Sequence, residues 1–134
     1  MTNVVSITSG LRAPPQNIDA ERALMAAILF NNRAFDQVSD FLLPGHFADP
    51  VCALLYETAT KLLSRGNQFT IVTAKTFLEN NAIFNDGGGI RFLTGLASQL
   101  VTTINAKDYG RIIYDCFLRR ELIGIGENIV HNAH

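Results

Sequence analysis

Hydrophobic residues recur at helical spacing along nearly the whole chain, and no alternating run is long enough to predict a strand. The first pattern predicts a helix over about Ile18 to Phe30, with Asn17 as its N-cap and Asp19 and Glu21 favourably placed in the first turn. Its second half, LMAAILF, is apolar all round, which is the mark of a central helix packed on several sides. Ala26 and Ala27 let neighbouring backbones come close. Asn31-Asn32 then breaks the chain. A short second helix is expected to follow, with Phe35, Val38 and Leu42 on one face and the loop LPGHF ending it.

Asp49-Pro50 predicts the start of a third helix, since proline is well accommodated in a first helical turn. Leu54, Leu55, Thr58, Ala59 and Leu62 mark its buried side, and Arg65-Gly66 its stop. Thr70 caps a fourth helix with Val72, Ala74, Phe77 and Leu78 as core contacts. Three glycines, Gly87, Gly88 and Gly89, form a turn before a fifth helix carrying Phe92, Leu93 and Leu96. Asn105 with Asp108 three residues on is a capping-box arrangement, and a long helix is expected from there to the chain's end. The pattern predicts an all-α fold, a compact bundle of about six helices with the last one long.

That last helix carries two apolar lines. One reads Tyr109, Ile112, Ile113, Cys116, Ile123 and Val130. The other reads Leu118, Leu122, Ile125 and Ile129, at the spacing of one helix packed along another. Gly126 lies beside this second line and permits close approach. Two apolar faces need two partners. The spacing leaves open whether a further C-terminal element of the same chain covers the second line or another subunit does. In an isolated domain it predicts a concentration-dependent dimer of micromolar affinity.

Composition adds limits. A chain of 134 residues fits one domain, and 48% hydrophobic with 17% charged residues is enough to bury a core. No apolar run approaches the roughly 18–20 residues of a membrane span. The opening MTNVVSITSGLRAPPQ lacks the basic start and long apolar core of a signal peptide. We read residues 1–15 as a disordered tail, residues 16–134 as the helical domain, and the chain as soluble and cytoplasmic. Eleven basic against twelve acidic side chains give a net charge of -1, without the basic excess of a surface that grips phosphate. DNA binding no tighter than about 10⁻⁴ M at physiological salt is expected. Cys52 and Cys116 sit in apolar helical patterns and suit buried reduced thiols.

The candidate chemistry is thin. The stretch NDGGGIRFL sets glycines before a helix, as phosphate loops do, but no Lys-Ser or Lys-Thr pair follows to handle phosphate and magnesium. Gly124 and Gly126 lack the third glycine of the dinucleotide fingerprint and lie within a helical pattern. Both are read as structural: a turn needing positive φ in the first case, small positions for helix packing in the second. His46, His131 and His134 show no metal-ligand spacing, Asp36 and Asp40 share a face as solvated pairs do, and the Arg119-Arg120 doublet reads as a solvated face. No catalytic, cofactor-binding or metal residue is assigned, and the domain is expected neither to bind nor to hydrolyse ATP. A small metal-free enzyme would need a polar constellation that is absent here. A helix-turn-helix-like nucleic-acid-binding module would need a basic recognition helix.

The ordered set of motifs resembles the N-terminal domain of DnaB-type replicative DNA helicases. Pro14, Pro15, Gln16, Asn17, Ala20, Glu21 and Asn32 fall on that family's P-P-Q-N-x-x-A-E opening and its following turn. Phe47, Leu55-Tyr56, Leu62 and Gly66 resemble its next helix, and Gly88-Gly89 with Phe92-Leu93 and Leu96 its G-G-x-x-Y-L-x-x-L turn and helix. Asn105, Tyr109, Ile112-Ile113, Arg120, Leu122-Ile123 and Ile129 match the closing segment, so the likeness spans about residues 13 to 130. Departures at Cys52-Ala53, Thr70, Val101 and Tyr114 bear on single polar contacts. The resemblance implies a non-catalytic collar domain whose glycines only turn the chain. In the family such domains pair into dimers, a trimer of dimers caps the hexameric ring, and the collar receives the primase. ATP and magnesium belong to a C-terminal motor domain absent from this chain, and a helicase loader is a further partner. On this resemblance the long helix extends toward a helical hairpin. Leu118, Leu122, Ile125, Gly126 and Ile129 are then the expected subunit interface, with no strong direct DNA contact and no membrane.

Overall fold

In the computed structural model, residues 14–99 and 105–133 are described. Six α-helices are present among them: α1 (Ile18–Phe30), α2 (Pro50–Ser64), α3 (Ile71–Leu78), α4 (Ala82–Asp86), α5 (Ile90–Ala97) and α6 (Ala106–Ala133). Two 3-10 segments, Asn32–Gln37 and Pro44–His46, join α1 to α2. No strand occurs among the described residues. The all-α reading and the long final helix therefore hold.

Helix α1 is central, as its apolar second half requires. Leu24, Met25, Ala26, Ala27 and Ile28 are all buried, and α2, α5, α6 and the first 3-10 segment pack around them. Its start is fixed by Asn17, whose side-chain oxygen accepts from the Ala20 N–H at 3.0 Å. Helix α2 starts on Asp49, which accepts from Val51 N–H at 3.1 Å, and stops at Arg65 with Gly66 at φ 80°. Tyr56 on α2 is a core residue that the periodicity did not mark. Its hydroxyl donates to the Leu42 carbonyl at 2.8 Å, and its ring lies between Phe35 and Phe47.

Several expectations are corrected. The segment after Asn31 winds as a 3-10 helix rather than an α-helix, though Val38 and Leu42 are buried and Phe35 packs on the core as predicted. Helix α3 is capped by Thr70 and Thr73 reciprocally, but it turns only Ala74 and Leu78 fully inward. Val72 is 72% exposed, and Phe77 lies at the surface with the Arg65 guanidinium over its ring. Eight residues give a helix room for one narrow buried line. Helix α4 has no counterpart in the hydrophobic pattern, because its five residues bury only Phe84 and show no period.

Gly87, Gly88 and Gly89 form the turn between α4 and α5. Gly88 and Gly89 adopt φ 111° and 55°, conformations that side chains resist, and Gly89 opens α5. Gly87 has an ordinary φ of -84°; its constraint is the Val51 side chain, which lies where a Cβ would stand.

Helix α6 meets the head through its first half, where Ala106, Gly110 and Ile113 are buried. Gly110 is the point of closest approach. A Cβ there would lie 2.5 Å from Val38 Cγ1 and 3.1 Å from Phe41 Cζ. Alanine would add helix propensity of roughly 1 kcal/mol, yet overpacking costs roughly 1–3 kcal/mol. Gly110→Ala is therefore expected to destabilise by about 1 kcal/mol, read as a lowered urea midpoint at unchanged m-value. No helix among the described residues is long and apolar enough to cross a membrane.

Candidate assembly surface on the long helix

Two sets of contacts hold α6 against the head. On one side, Tyr114 and Phe117 close around the His46 ring, at centroid distances of 5.0 and 4.4 Å, while Phe41 meets Tyr114 edge-on. His46 is buried, and its Nδ1 accepts from the Leu43 N–H at 2.9 Å. That bond needs a neutral ring. Burial first, and then the nearby Arg120 charge, lower the His46 pKa below its ordinary 6.5.

The second tie is Arg120. Its guanidinium donates to the Pro15 carbonyl at 2.8 Å and to the His46 carbonyl at 2.9 Å, joining α6 to the entry of α1 and to the second 3-10 turn. The solvated-face reading of Arg119-Arg120 is thus corrected for Arg120, which is half-buried, while Arg119 is exposed. Nothing in the doublet itself signals this; the contacts span 105 and 74 residues of sequence.

Beneath this joint lies Glu21, which helix patterning marks as a first-turn acid and the family resemblance as a position of the opening motif. It is buried, and its two oxygens accept from the Ala48 and Asp49 N–H groups, each at 2.9 Å. Burial raises its pKa, against the lowering effect of those two bonds and of Arg120. Cys52 is buried beside it and donates to Asp49 Oδ2 at 3.4 Å, so burial and the carboxylate push the thiol pKa up. Cys116 is half-buried rather than buried, against expectation.

The pH dependence follows in sign. His46, with its folded pKa lowered, leaves stability intact above about 6.5; below that, the unfolded chain takes up the proton first and stability falls. Glu21, with its pKa raised, works the other way, adding stability as pH falls through its folded pKa. Comparing His46→Gln with the parent chain isolates the first effect. The fall in melting temperature between pH 6.5 and about 5 should be shallower in the variant.

Beyond Arg120 the helix leaves the head. Every described residue from Glu121 onward is exposed except Gly124, which is half-buried. Leu122, Ile125 and Ile129 stand 67%, 56% and 64% exposed, with Leu118 exposed at the head's edge. At about 100° per residue these four share one face. Ile123 and Val130 form a second exposed line, with Gly126 between the two. The first predicted stripe is therefore split: Ile113 is buried and Tyr109 packs on the head, whereas Ile112, Ile123 and Val130 are exposed. Nothing stands within 4 Å of where a Cβ on Gly124 or Gly126 would lie. His131 sits with these lines near the helix end; His134 lies outside the described residues.

A head closed around its own core, carrying a helix that continues outward with uncovered aliphatic side chains, calls for comparison with known proteins. The model of the DnaB-like helicase N-terminal domain matches residues 13–115. The chain belongs to that family. The replicative DNA helicase DnaB of Rickettsia typhi is 38% identical over 123 residues, covering 92% of this chain and 25% of the relative. The replicative DNA helicase DnaC of Bacillus subtilis is 31% identical over 123 residues, covering 92% of this chain and 27% of the relative. Among solved structures, the N-terminal domain of DnaB helicase from Mycobacterium tuberculosis superposes with a TM-score of 0.83 at 29% identity, covering 89% of this chain and 85% of that one. This DnaB-type chain spans about a quarter of the length of these helicases. The relationship supports the domain reading and does not favour the helix-turn-helix-like alternative.

Proposed function

We propose that this domain is a non-catalytic assembly module of a ring-shaped replicative helicase, pairing with copies of itself and receiving the primase. The carrying observation is the outer half of α6. Leu118, Leu122, Ile125 and Ile129 make an uncovered seam on a helix already anchored to a finished head. Leaving four such side chains in water is unfavourable, and a second helix of the same kind is the complement such a seam fits. On this reading the dimer is the unit from which a trimer-of-dimers collar is built. ATP and magnesium act in a motor domain elsewhere in the full protein, which unwinds duplex DNA in the cytoplasm, and a loader engages the assembled ring.

Sedimentation equilibrium tests the assembly half directly. A dimer with a micromolar dissociation constant is expected, and a chain that stays monomeric throughout the micromolar range overturns it. Calorimetric titration of the dimer with the cognate primase tests the docking half. Saturable heat is expected, and its absence with a demonstrably dimeric domain removes primase from the proposal.

A further inference from the structure

On the head, away from the seam, Arg22 of α1 and Arg91 of α5 line one cleft with Phe92, Gly95, Leu96 and Gln99. We propose that this cleft docks an acidic peptide segment of a partner protein. The segment would place one carboxylate between the two guanidiniums and an apolar side chain against Phe92 and Leu96.

Four observations carry this. Among the described residues neither guanidinium has a carboxylate within 4.0 Å, and neither side chain makes a hydrogen bond. Both are exposed, and both line the same cleft. Arg22 also rests over Phe92, its guanidinium 5.5 Å from the ring centroid, a contact that favours one placement of the cation beside the cleft. The floor is apolar, with Leu96 buried and Phe92 half-buried, and Gly95 leaves one wall open. Among the described residues no carboxylate lines the cleft.

Charge and size choose the partner class. A volume of 260 Å³ accepts one side chain with its carboxylate and falls below the range of roughly 300–1,000 Å³ that whole small ligands use. Two cations on a chain of net charge -1 do not build a track for a nucleic-acid backbone. A planar guanidinium matches a carboxylate in bidentate fashion, and two around an aromatic ring select an acid next to an apolar residue. The inference is independent of the seam, since Arg22 and Arg91 lie on α1 and α5 and not on the outer half of α6.

The test is a titration of the isotope-labelled 134-residue chain, followed by its amide and arginine side-chain resonances. The probe is the capped peptide Gly-Asp-Asp-Phe-Asp-Gly, with its all-asparagine counterpart and a six-residue oligothymidylate alongside. Saturable shifts at Arg22, Arg91 and Gly95 are expected with the aspartate peptide and not with the asparagine one. Arg22→Gln/Arg91→Gln should weaken that binding roughly tenfold or more, as loss of charge-assisted bonds does. Absent or unsaturable shifts, equal binding of the asparagine peptide, or unchanged affinity in the double variant each overturn the proposal. Tighter binding of the oligothymidylate at the same resonances also overturns it and makes the cleft a nucleic-acid contact. The wild-type titrations decide the matter even if the double variant folds poorly.

Discussion

Asn32→Asp, at a half-buried position, is expected to cost the domain about 3 kcal/mol. The Asn32 amide donates to the carbonyls of Ile28 and Phe69, both at 2.8 Å, while its oxygen accepts from the Phe69 N–H at 3.0 Å. One side chain thus caps the last turn of α1 and ties it to the residue leading into α3. Phe69 is itself fully buried, so this tie sets how a core aromatic enters the head. Aspartate keeps the acceptor but turns the donating end into an oxygen facing two carbonyl oxygens. Two bonds worth roughly 1 kcal/mol each are lost, and a desolvated carboxylate faces unpaired acceptors at a further 1–3 kcal/mol. Thermal unfolding followed by circular dichroism should show a melting temperature lower by about 10 °C. The variant's own pH dependence supplies a control. A carboxyl facing carbonyls has its folded pKa raised, so the folded state binds the proton more tightly. Stability should therefore recover as pH falls through that pKa, because the protonated acid can again donate. Asn32→Ala, which loses the bonds without adding charge, should cost less and show no such recovery.

That expectation also marks what the sequence could and could not convey. Asn31-Asn32 was legible as a break, because asparagine favours caps and turns over helix interiors. The partner 37 residues away was not legible, since a side-chain amide carries no sign of what it will meet. Glu21, Arg120 and His46 repeat the lesson. Each has a local role that sequence suggests, an N-terminal acid, a solvated cation or an isolated imidazole, and each spends its side chain on distant backbone or aromatic groups. Helices α1, α2 and α6 were legible because their apolar periods run for thirteen residues or more. In α3 and α4 the helices are too short for their period to say which residues point inward. Val72 and Phe77 were misplaced for that reason. On α6 both lines were visible as a pattern. Where the head ends and the free helix begins depends on Arg120 and its two carbonyl partners, and periodicity says nothing about that point.

Replacing Leu122 and Ile125 together with aspartate should abolish self-association while leaving the head folded. The structure makes the second half of that statement firm. Both residues lie beyond Arg120, where α6 has left the head, and both are more than half exposed. Aspartate at these positions therefore removes no core contact; its helix-propensity cost of under about 1 kcal/mol per residue falls on a segment outside the core. In a dimer the same two positions occupy the middle of the Leu118–Ile129 seam. Full burial of a leucine or isoleucine contributes roughly 1.5–3 kcal/mol, much of it offset by the entropy of association, which leaves the micromolar affinity expected. Two carboxylates in that seam lose the apolar gain and must be desolvated without partners, at several kcal/mol each. The dissociation constant should rise by more than about a hundredfold, equivalent to roughly 2.7 kcal/mol. Sedimentation velocity should then show a monomer at every concentration at which the parent chain is dimeric, with circular dichroism and thermal midpoint nearly unchanged. A variant that still sediments as a dimer would move the interface to the neighbouring line of Ile123 and Val130, on the far side of Gly126. Ile123→Asp would then be the change that separates the two faces, because the lines are far enough apart around the helix that one partner helix cannot cover both.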